Sequence, residues 1–353
     1  MERIGTRLPA DFMKTTNLAI WVGKPYDNDT LFDSSSPIDP DKRWAPFQQL
    51  KRDIELNGGT CHTQDVCFRD GITPDAVLFL DMPAGPVDRL LGNWAGKVRK
   101  LLFLQEPPII MPRNWETSGH RQFDKIFTWN DTLADGGRYI KTNCPYPVPA
   151  SIPKGLSRKK HFCAVIAGHH KFTYPFELYS KREELVRWFE RNHPEDFDLY
   201  GRGWDEYVFH GIKPVRALNR LKFLKKLLAP SFPSYRGPVG RKRPVLEEHK
   251  FCVCYENSSD MPGYITEKIF DAFAAGCVPV YWGAPNIADH IPADCFIDKR
   301  NFNDYETLYS HMKNMTDEAY LRHLDAIEDF LKSEKGHRFS IPCFCEIVLK
   351  ELS

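Results

Sequence analysis

The chain has 353 residues, 42% of them hydrophobic and 13% aromatic, and its 48 basic and 47 acidic residues leave a net charge of +1. This length and composition indicate a globular protein with a large core, divided into two domains. The balanced charge argues against nucleic acid as a partner, and no apolar run approaches the roughly 20 residues that a membrane span needs.

The opening residues and the cysteine pattern bear on the cellular compartment. The first stretch, MERIGTRLPADFMK, lacks the apolar core of an export signal, and the ten cysteines include no CxxC pair. We therefore expect reduced, mostly buried thiols and a cytoplasmic protein, with at most peripheral contact at the inner face of a membrane.

Strand and helix signals alternate through the first half of the chain. The predicted elements are strands over 18–22, 76–80, 98–104 and 125–129, and a helix over 44–56. Prolines then recur through 143–155, a segment that can continue neither a helix nor a sheet. It marks the predicted boundary between a first domain, 1–150, and a second domain, 151–330.

A second alternation of strands and helices follows the proline-rich segment. Its predicted elements are strands over 161–167, 198–200, 251–255, 278–281 and 295–298, and helices over 177–192, 218–228, 265–275, 305–312 and 317–332. Two successive alternations predict an α/β protein with two Rossmann-like domains that face each other across a cleft. We expect the tail, 331–353, to pack back on the first domain.

The stretch from Phe251 to Pro285 places polar residues at the end of a predicted strand. It predicts a strand, a polar loop, a helix and a second strand, and parallel α/β sheets bind ligands at such strand ends, facing helix N-termini. Lys268 falls in the first turn of this helix, where the helix dipole already favours phosphate. The alternative is an ion pair between Lys268 and Asp271 within the helix.

Other polar residues of the same stretch could bind a sugar. Asn257 and Tyr264 lie in the loop, and Glu267 directly precedes Lys268. The carboxylate of Glu267 could accept hydrogen bonds from sugar or ribose hydroxyls, or face the positive charge that develops on a reacting sugar carbon. The alternative is a carboxylate that only stabilises the start of the helix.

Three arginines outside this stretch are candidates for binding a diphosphate. Arg236 and Arg241 belong to the glycine-rich loop 235–243, whose backbone N–H and guanidinium groups suit that ligand. Arg182 lies in the helix after the strand 161–167 and could reach a ligand at the strand ends. The alternatives are a mobile solvated loop and an ordinary exposed cation on a helix.

Glu106 is the candidate general base. It follows the strand 98–104 and precedes two prolines, so a rigid turn holds a carboxylate at a strand end. The alternative is an ordinary surface acid. The DND pattern at 27–29 is similar to the Asp-x-Asp motif that holds a divalent ion in some transferases. It has no phosphate-binding group near it in sequence, however, so we expect no metal site there.

Several segments together match a known family pattern. They are 255–258 (YENS), 263–269 (GYITEKI), 276–285 (GCVPVYWGAP), 199–203 (LYGRG) and the strand 99–106 with its terminal acid. This pattern resembles the signature of the family 10 glycosyltransferases, the α-1,3/4-fucosyltransferases. The resemblance implies a GT-B fold, with GDP-fucose bound by the second domain. It also implies an acceptor glycan, containing GlcNAc or a related sugar, bound mainly by the first domain.

The family's chemistry gives a role to each candidate residue. The resemblance implies direct displacement with inversion at the fucose carbon, with Glu106 as the base and Glu267 as the carboxylate beside fucose and ribose. Because the sequence shows no convincing metal-ligating constellation, we expect no requirement for a metal or another cofactor. The residues matched to the donor site are Gly201, Asn257, Tyr264, Lys268 and, at the family's diphosphate arginine, Arg182. Because the alignment at that arginine is loose, Arg236 and Arg241 remain candidates.

The resemblance also implies a biological setting and leaves two alternatives. The setting is a bacterial-type enzyme of oligosaccharide biosynthesis and protein glycosylation, of the kind that forms Lewis antigens. The alternatives are a GT-B glycosyltransferase that uses another nucleotide sugar and an inactive glycan-binding module. Glu106, Glu267 and Lys268 argue against the module, since binding alone does not need a base.

Overall fold

The computed structural model describes residues 15–36, 39, 41–209 and 212–352. The chain divides into two compact units, Met1–Val148 together with His337–Ser353, and Pro149–Gly336. This division lies two residues from the domain boundary predicted at position 150. No helix in the described part of the chain is long and apolar enough to cross a membrane.

The first unit is built on an entirely parallel six-stranded sheet, in the order β2-β1-β3-β4-β5-β6. Its strands are β1 (Asn17–Trp21), β2 (Thr60–Thr63), β3 (Ala76–Leu80), β4 (Arg99–Leu104), β5 (Lys125–Thr128) and β6 (Tyr139–Lys141). The central strands are nearly continuous apolar runs because a parallel sheet is covered on both faces. Leu78 and Leu101 are accordingly fully buried.

The first unit takes one of its helices from the far end of the chain. Its helices are α1 (Ala45–Leu56), α2 (Gln64–Arg69), α3 (Val87–Leu91) and α13 (Ile341–Leu352). In α13, the Phe344 ring lies 5.8 Å from that of Phe47 in α1 and 5.3 Å from that of Phe103 in β4. The tail of the chain is therefore part of the core of the first unit.

Two edge strands of the first sheet were not predicted. β2 has the sequence TCHT and β6 has the sequence YIK, and neither contains an apolar run. Both lie at an edge of the sheet, where one side of the strand has no neighbour. Pairing with a buried neighbour, rather than hydrophobic pattern, determines such strands.

The second unit contains an entirely parallel five-stranded sheet, in the order β11-β10-β9-β7-β8. Its strands are β7 (His161–Ile166), β8 (Phe197–Tyr200), β9 (His249–Tyr255), β10 (Val278–Trp282) and β11 (Ile297–Asp298). The helices are α4 (Tyr179–Asn192), α5 (Lys213–Ala217), α6 (Lys222–Leu227), α7 (Lys242–Glu247), α8 (Glu267–Ala274), α9 (Ile287–His290), α10 (Tyr305–Lys313), α11 (Asp317–Lys332) and α12 (Glu334–His337), the last of which spans the division.

The helix predicted over 218–228 is interrupted. The structure has α5, a 3-10 turn over Leu218–Arg220, and then α6. Leu221 separates the 3-10 turn from α6 with a non-helical backbone, at φ −88° and ψ 85°. The side chain of Asn219 hydrogen bonds with both the N–H and the carbonyl of Phe209 at 2.9 Å. These bonds tie the turn to the preceding loop, a tertiary contact that periodicity does not reveal.

Candidate functional site

A buried carboxylate, Glu256, joins the end of β9 to the start of α8. It is the first residue after β9 and is 0% exposed. Its carboxylate accepts hydrogen bonds from the main-chain N–H and the hydroxyl of Thr266, both at 2.8 Å, and from the ammonium of Lys268 at 2.9 Å. The chain at Gly283 passes so close that a Cβ there would lie 2.5 Å from Cγ of Glu256.

Sequence analysis did not select Glu256 as a site residue. The signal was present, because an acid directly after a buried strand is the pattern that selected Glu106. Its role in the site was not evident from the sequence, because its hydrogen-bond partners, Thr266 and Lys268, follow ten or more residues later.

Lys268 lies where the sequence predicted, in the first turn of α8. Its ammonium is held by Glu256 and, at 3.0 Å, by the hydroxyl of Thr266. Burial disfavours its charged form, but the carboxylates of Glu256 and Glu267 outweigh burial, so the pKa of Lys268 lies above its ordinary value. The side chain is 23% exposed, and two of its three N–H donors are accounted for by these bonds. The third is left for a ligand at the open side.

The ion pair between Lys268 and Asp271, considered as an alternative, is not formed. Asp271 instead accepts a hydrogen bond from Lys242 of α7 at 2.8 Å. The same ammonium lies 3.9 Å from Glu267, whose side chain is 40% exposed. Glu267 is therefore partly open to solvent beside Lys268. The second cation next to it is Lys242, which belongs to the glycine-rich loop 235–243 and was not selected as a candidate from the sequence.

Arg182 reaches the same strand end from α4, but it is enclosed. The residue is 3% exposed, and its guanidinium donates to the carbonyls of Tyr255 at 2.8 Å and Glu256 at 3.0 Å. Burial lowers its pKa from the ordinary arginine value. In this structure Arg182 contributes positive charge beneath the site and fixes the end of β9.

Asn257 and Tyr264 are brought together, as the sequence predicted for residues of one site. The Asn257 amide nitrogen lies 3.3 Å from the Tyr264 hydroxyl, and Tyr264 is 3% exposed. The loop between them turns at Gly263, which has φ +80° and donates its N–H to the Asn286 side chain at 2.9 Å. Hydrogen bonds within the loop and to Asn286 therefore order it beside Glu256.

Gly201 has a steric reason to be glycine. Its φ is +131°, and a Cβ at this position would lie 1.9 Å from the carbonyl oxygen of Ala167. Its N–H donates to the Gly237 carbonyl at 3.1 Å, and its own carbonyl accepts from the Tyr235 hydroxyl at 2.8 Å. Gly201 therefore holds the glycine-rich loop against the carboxyl end of β8.

Arg236, in contrast, is not brought to the candidate site. Its guanidinium forms an ion pair with Asp198 of β8 at 2.7 Å. The other oxygen of that carboxylate lies 2.9 Å from the His161 ring and 3.1 Å from the His249 ring. His161 and His249 are the first residues of β7 and β9, so this cluster lies toward the amino end of the sheet. The assignment of Arg236 to the donor site is therefore corrected.

The cluster around Asp198 has the residue types of a metal site. Its ligand atoms lie within 4.8 Å of one another, although sequence analysis expected no metal site. The other oxygen of the same carboxylate already pairs with the Arg236 guanidinium, whose positive charge disfavours a metal ion beside it. Against the effect of burial, hydrogen bonds from His249 and Arg236 lower the pKa of Asp198 to about 2. We interpret the group as an ion-pair cluster that joins three strands.

Arg241 remains a candidate by position. It precedes α7 as its N-cap residue and is exposed. The next residue, Lys242, lies 3.9 Å from Glu267. Arg241 is therefore the sequence neighbour of Lys242, the residue that links α7 to the start of α8.

Glu106 lies in the first unit, in a turn held by a separate polar network. Asp81 follows β3 with a left-handed backbone, φ +64°, and its carboxylate accepts the N–H groups of Gln105 at 2.7 Å and Glu106 at 3.1 Å. The buried side chain of Asn114 donates to Asp81 at 2.6 Å and to the Glu106 carbonyl at 3.1 Å. The Trp115 indole also donates to that carbonyl, at 3.1 Å.

This network fixes the backbone of Glu106 while its side chain remains partly exposed. Burial raises the pKa of Asp81, although three hydrogen bonds act in the opposite direction. Neither Asp81 nor Asn114 was among the candidate residues selected from the sequence. A buried asparagine more than 30 residues from its partner gives no signal in the sequence.

Comparison with known proteins finds a family match in the later part of the chain. Residues 227–350 match the model for glycosyltransferase family 10 (fucosyltransferase), C-terminal part. This part of the chain is therefore similar to the C-terminal part of the family 10 glycosyltransferases. The matched range contains Glu256, Glu267 and Lys268, whereas Glu106 and Arg182 precede it. The resemblance inferred from the sequence signature is thereby confirmed.

Two curated relatives illustrate the similarity. The chain is 33% identical to the α-(1,3)-fucosyltransferase FucT of Helicobacter pylori over 248 residues, which are 64% of this chain and 48% of that protein. It is 37% identical over 91 residues to the mouse 4-galactosyl-N-acetylglucosaminide 3-α-L-fucosyltransferase 9, covering 25% of each chain. The match thus spans about half the length of the bacterial relative and a quarter of the mammalian one.

A solved structure supports the fold. A crystal structure of an α1,3-fucosyltransferase with GDP-fucose superposes with a TM-score of 0.56 and 14% sequence identity. The match covers 100% of this chain and 94% of that chain. The predicted fold class, GT-B with two Rossmann-like domains, is confirmed.

Proposed function

We propose that this chain is an inverting α-1,3-fucosyltransferase, with α-1,4 as the possible second linkage. It moves L-fucose from GDP-fucose to a hydroxyl of GlcNAc, or of a related sugar, in a glycan. The observation that carries the proposal is the Lys268–Glu256–Thr266 arrangement at the start of α8, inside the matched family domain. The names of the bacterial and mouse relatives support the reaction and the acceptor class.

The second unit supplies positive charge to the leaving group. As fucose departs, GDP gains negative charge, which cations and helix N-termini stabilise. Lys268 offers its remaining N–H donor, and α8 begins without a side-chain cap because the hydroxyl of Thr266 binds Glu256 instead. The buried Arg182 adds positive charge at the carboxyl end of β9. We assign the diphosphate to this helix start, and the sugar or ribose hydroxyls to Asn257, Tyr264 and the exposed Glu267.

The first unit supplies the base. The acceptor hydroxyl must lose its proton as its oxygen attacks the fucose carbon, and a positioned carboxylate contributes on the order of 10²–10⁴-fold to such a step. We assign this role to Glu106, whose backbone Asp81, Asn114 and Trp115 hold in place. The proton passes from the acceptor hydroxyl to Glu106, the new bond forms to the fucose carbon, and GDP leaves with the electron pair.

This assignment needs no metal ion, because Lys268, Arg182 and the helix start provide the positive charge. We therefore expect the rate of fucose transfer to be unchanged, within about twofold, after dialysis against EDTA. The measurement is fucosyl transfer with and without added Mg²⁺ or Mn²⁺. Activity that disappears with EDTA and returns with either ion would contradict this assignment.

The donor can be tested separately from the reaction. We expect GDP and GDP-fucose to raise the midpoint of thermal unfolding, since only a ligand that binds the folded state does so, whereas UDP-GlcNAc should leave it unchanged. A shift with UDP-GlcNAc alone would favour a GT-B enzyme with another nucleotide sugar. Binding of GlcNAc-containing glycans without any transfer from GDP-fucose would favour an inactive glycan-binding module.

A screen of glycan acceptors with GDP-fucose then identifies the acceptor. Transfer to a GlcNAc-containing glycan, followed by determination of the linkage, would establish the reaction. Failure to transfer fucose to any glycan, with GDP-fucose bound, would overturn it.

A further inference from the structure

The connection between β8 and α7 carries an unusual concentration of exposed apolar side chains. In the described part of the chain, the exposed large hydrophobic residues of this connection are Tyr207, Val208, Ile212, Val215, Leu221, Phe223, Leu227 and Leu228. Elsewhere they are only Leu56, Phe68, Phe172 and Phe176. Exposure reaches 78% for Phe223 and 70% for Ile212. A patch of this kind marks an interaction surface.

The same segment is strongly basic. Residues 213–228 contain six lysines and arginines and no acidic residue. Because the whole chain has a net charge of +1, the rest of it carries a net charge of −5 (+1 minus +6). An anionic surface therefore attracts this segment and repels the remainder, which fixes the orientation of the protein on it.

The helix α6 presents both properties on one side. Phe223 and Leu227 are four residues apart and exposed, as are their neighbours Lys222 and Lys226. Lys225 instead turns inward and forms an ion pair with Glu206. With Asn219 bound to Phe209, this pair holds the segment in place, so its apolar and basic side chains already point outward.

We propose that residues 207–209 and 212–228, the basic apolar segment, dock the protein on an anionic lipid surface. Cations beside exposed aromatic and aliphatic side chains are the chemistry of helices that lie in the membrane interface. The apolar groups enter the boundary between headgroups and acyl chains, and the cations contact lipid phosphates. The segment leaves the sheet at the carboxyl end of β8, and α8 with Lys268 begins at the same end of the sheet, so docking holds this end of the second unit toward the lipid.

The test is sedimentation of the intact protein with vesicles. Vesicles of phosphatidylcholine with about 30% phosphatidylglycerol should bind it at least tenfold more tightly than phosphatidylcholine alone, and high salt should weaken the binding. Phe223→Ser with Leu227→Ser, and separately Lys222→Glu with Lys226→Glu, should each reduce binding at least fivefold. The matched controls are Leu56→Ser and Arg89→Glu with Lys97→Glu, which change equally exposed positions of the first unit.

Heparin distinguishes lipid docking from general polyanion binding. The apolar variant keeps every cation, so it should lose vesicle binding but retain heparin binding. Equal loss of both, or equal retention of both, would overturn lipid docking. Wild-type protein that stays in solution with both vesicle types would overturn it as well. The outcome is independent of the proposed function, because fucose transfer to a soluble acceptor is measured without vesicles.

Discussion

Two buried carboxylates of the second unit, Glu256 directly after β9 and Asp198 within β8, have similar surroundings but differently placed partners. Glu256 is 0% exposed and Asp198 6%, and each is held by several positively charged or donor groups. At Glu256 the partner Lys268 keeps a spare donor at the start of a helix, beside a strand's carboxyl end. At Asp198 the arginine and both imidazoles are directed at the carboxylate itself. Burial and charge alone therefore do not identify a site, whereas a strand end that faces a helix start does.

The largest expected effect follows removal of the acid at the candidate site. Glu256→Ala leaves Lys268 without its counterion, so we expect the free energy of unfolding to fall by about 3–5 kcal/mol. Glu256→Gln, which retains hydrogen bonds to Thr266, should lose less. Denaturation by urea measures both variants. If the alanine variant were as stable as the wild type, the ion pair between Glu256 and Lys268 would not contribute to stability.

The next largest effect concerns Glu106, the partly exposed carboxylate that we assign as the base. Glu106→Gln should lower turnover at least about a hundredfold, which is about 2.7 kcal/mol of activation free energy, since the amide cannot accept the proton. Affinity for GDP-fucose should stay within about twofold. Glu116→Gln, an exposed acid ten residues further along the chain, is the matched control and should retain activity. Near-normal turnover of Glu106→Gln would remove Glu106 as the base.

Low pH should weaken the ion-pair cluster around Asp198 and thereby lower the free energy of unfolding. The pKa of Asp198 is lowered to about 2 from 3.8, so the stability it contributes is complete above pH 3.8 and is lost as the pH falls toward 2. Since one pKa unit corresponds to about 1.4 kcal/mol, the expected loss is about 2 kcal/mol. Unfolding by urea at a series of pH values measures it, with Asp198→Asn as the reference. An Asn variant with the same acid dependence would contradict this assignment.

The smallest expected effect distinguishes Lys268 from Arg236 as the cation that binds GDP. Lys268→Gln should weaken GDP binding at least about tenfold, or 1.4 kcal/mol, because its charge and spare donor are lost. Arg236→Gln should leave GDP affinity within about twofold, although it weakens the cluster around Asp198. Isothermal titration with GDP measures both. The comparison fails if the two variants lose GDP affinity equally.

Much of the fold was predictable from local pattern. The apolar run Ala76–Leu80 forms β3 with the predicted bounds, and Lys268 lies in the first turn of α8, as periodicity indicated. These elements are buried on both faces or on one regular face, so composition and period are sufficient. The short edge strands β2 and β6 lack that signal.

The partners of the candidate residues were less predictable. The sequence left Arg236 as one of three candidates for the diphosphate, but Asp198, 38 residues earlier, binds its guanidinium. Arg182 was expected as an open donor, and carbonyls of the adjacent strand end occupy it instead. In each case a contact distant in sequence decides the direction of a long side chain, which no local pattern encodes.

The helix α13 has a consequence for the order in which the protein forms on the ribosome. Its buried residues, among them Phe344 and Val348, complete the core around β1 and α1, yet they are synthesised more than 200 residues after β6. The second unit is continuous in sequence and can therefore close first. Until α13 is synthesised, that face of the earlier-made sheet is covered by α1 but lacks its contacts with Phe344 and Val348.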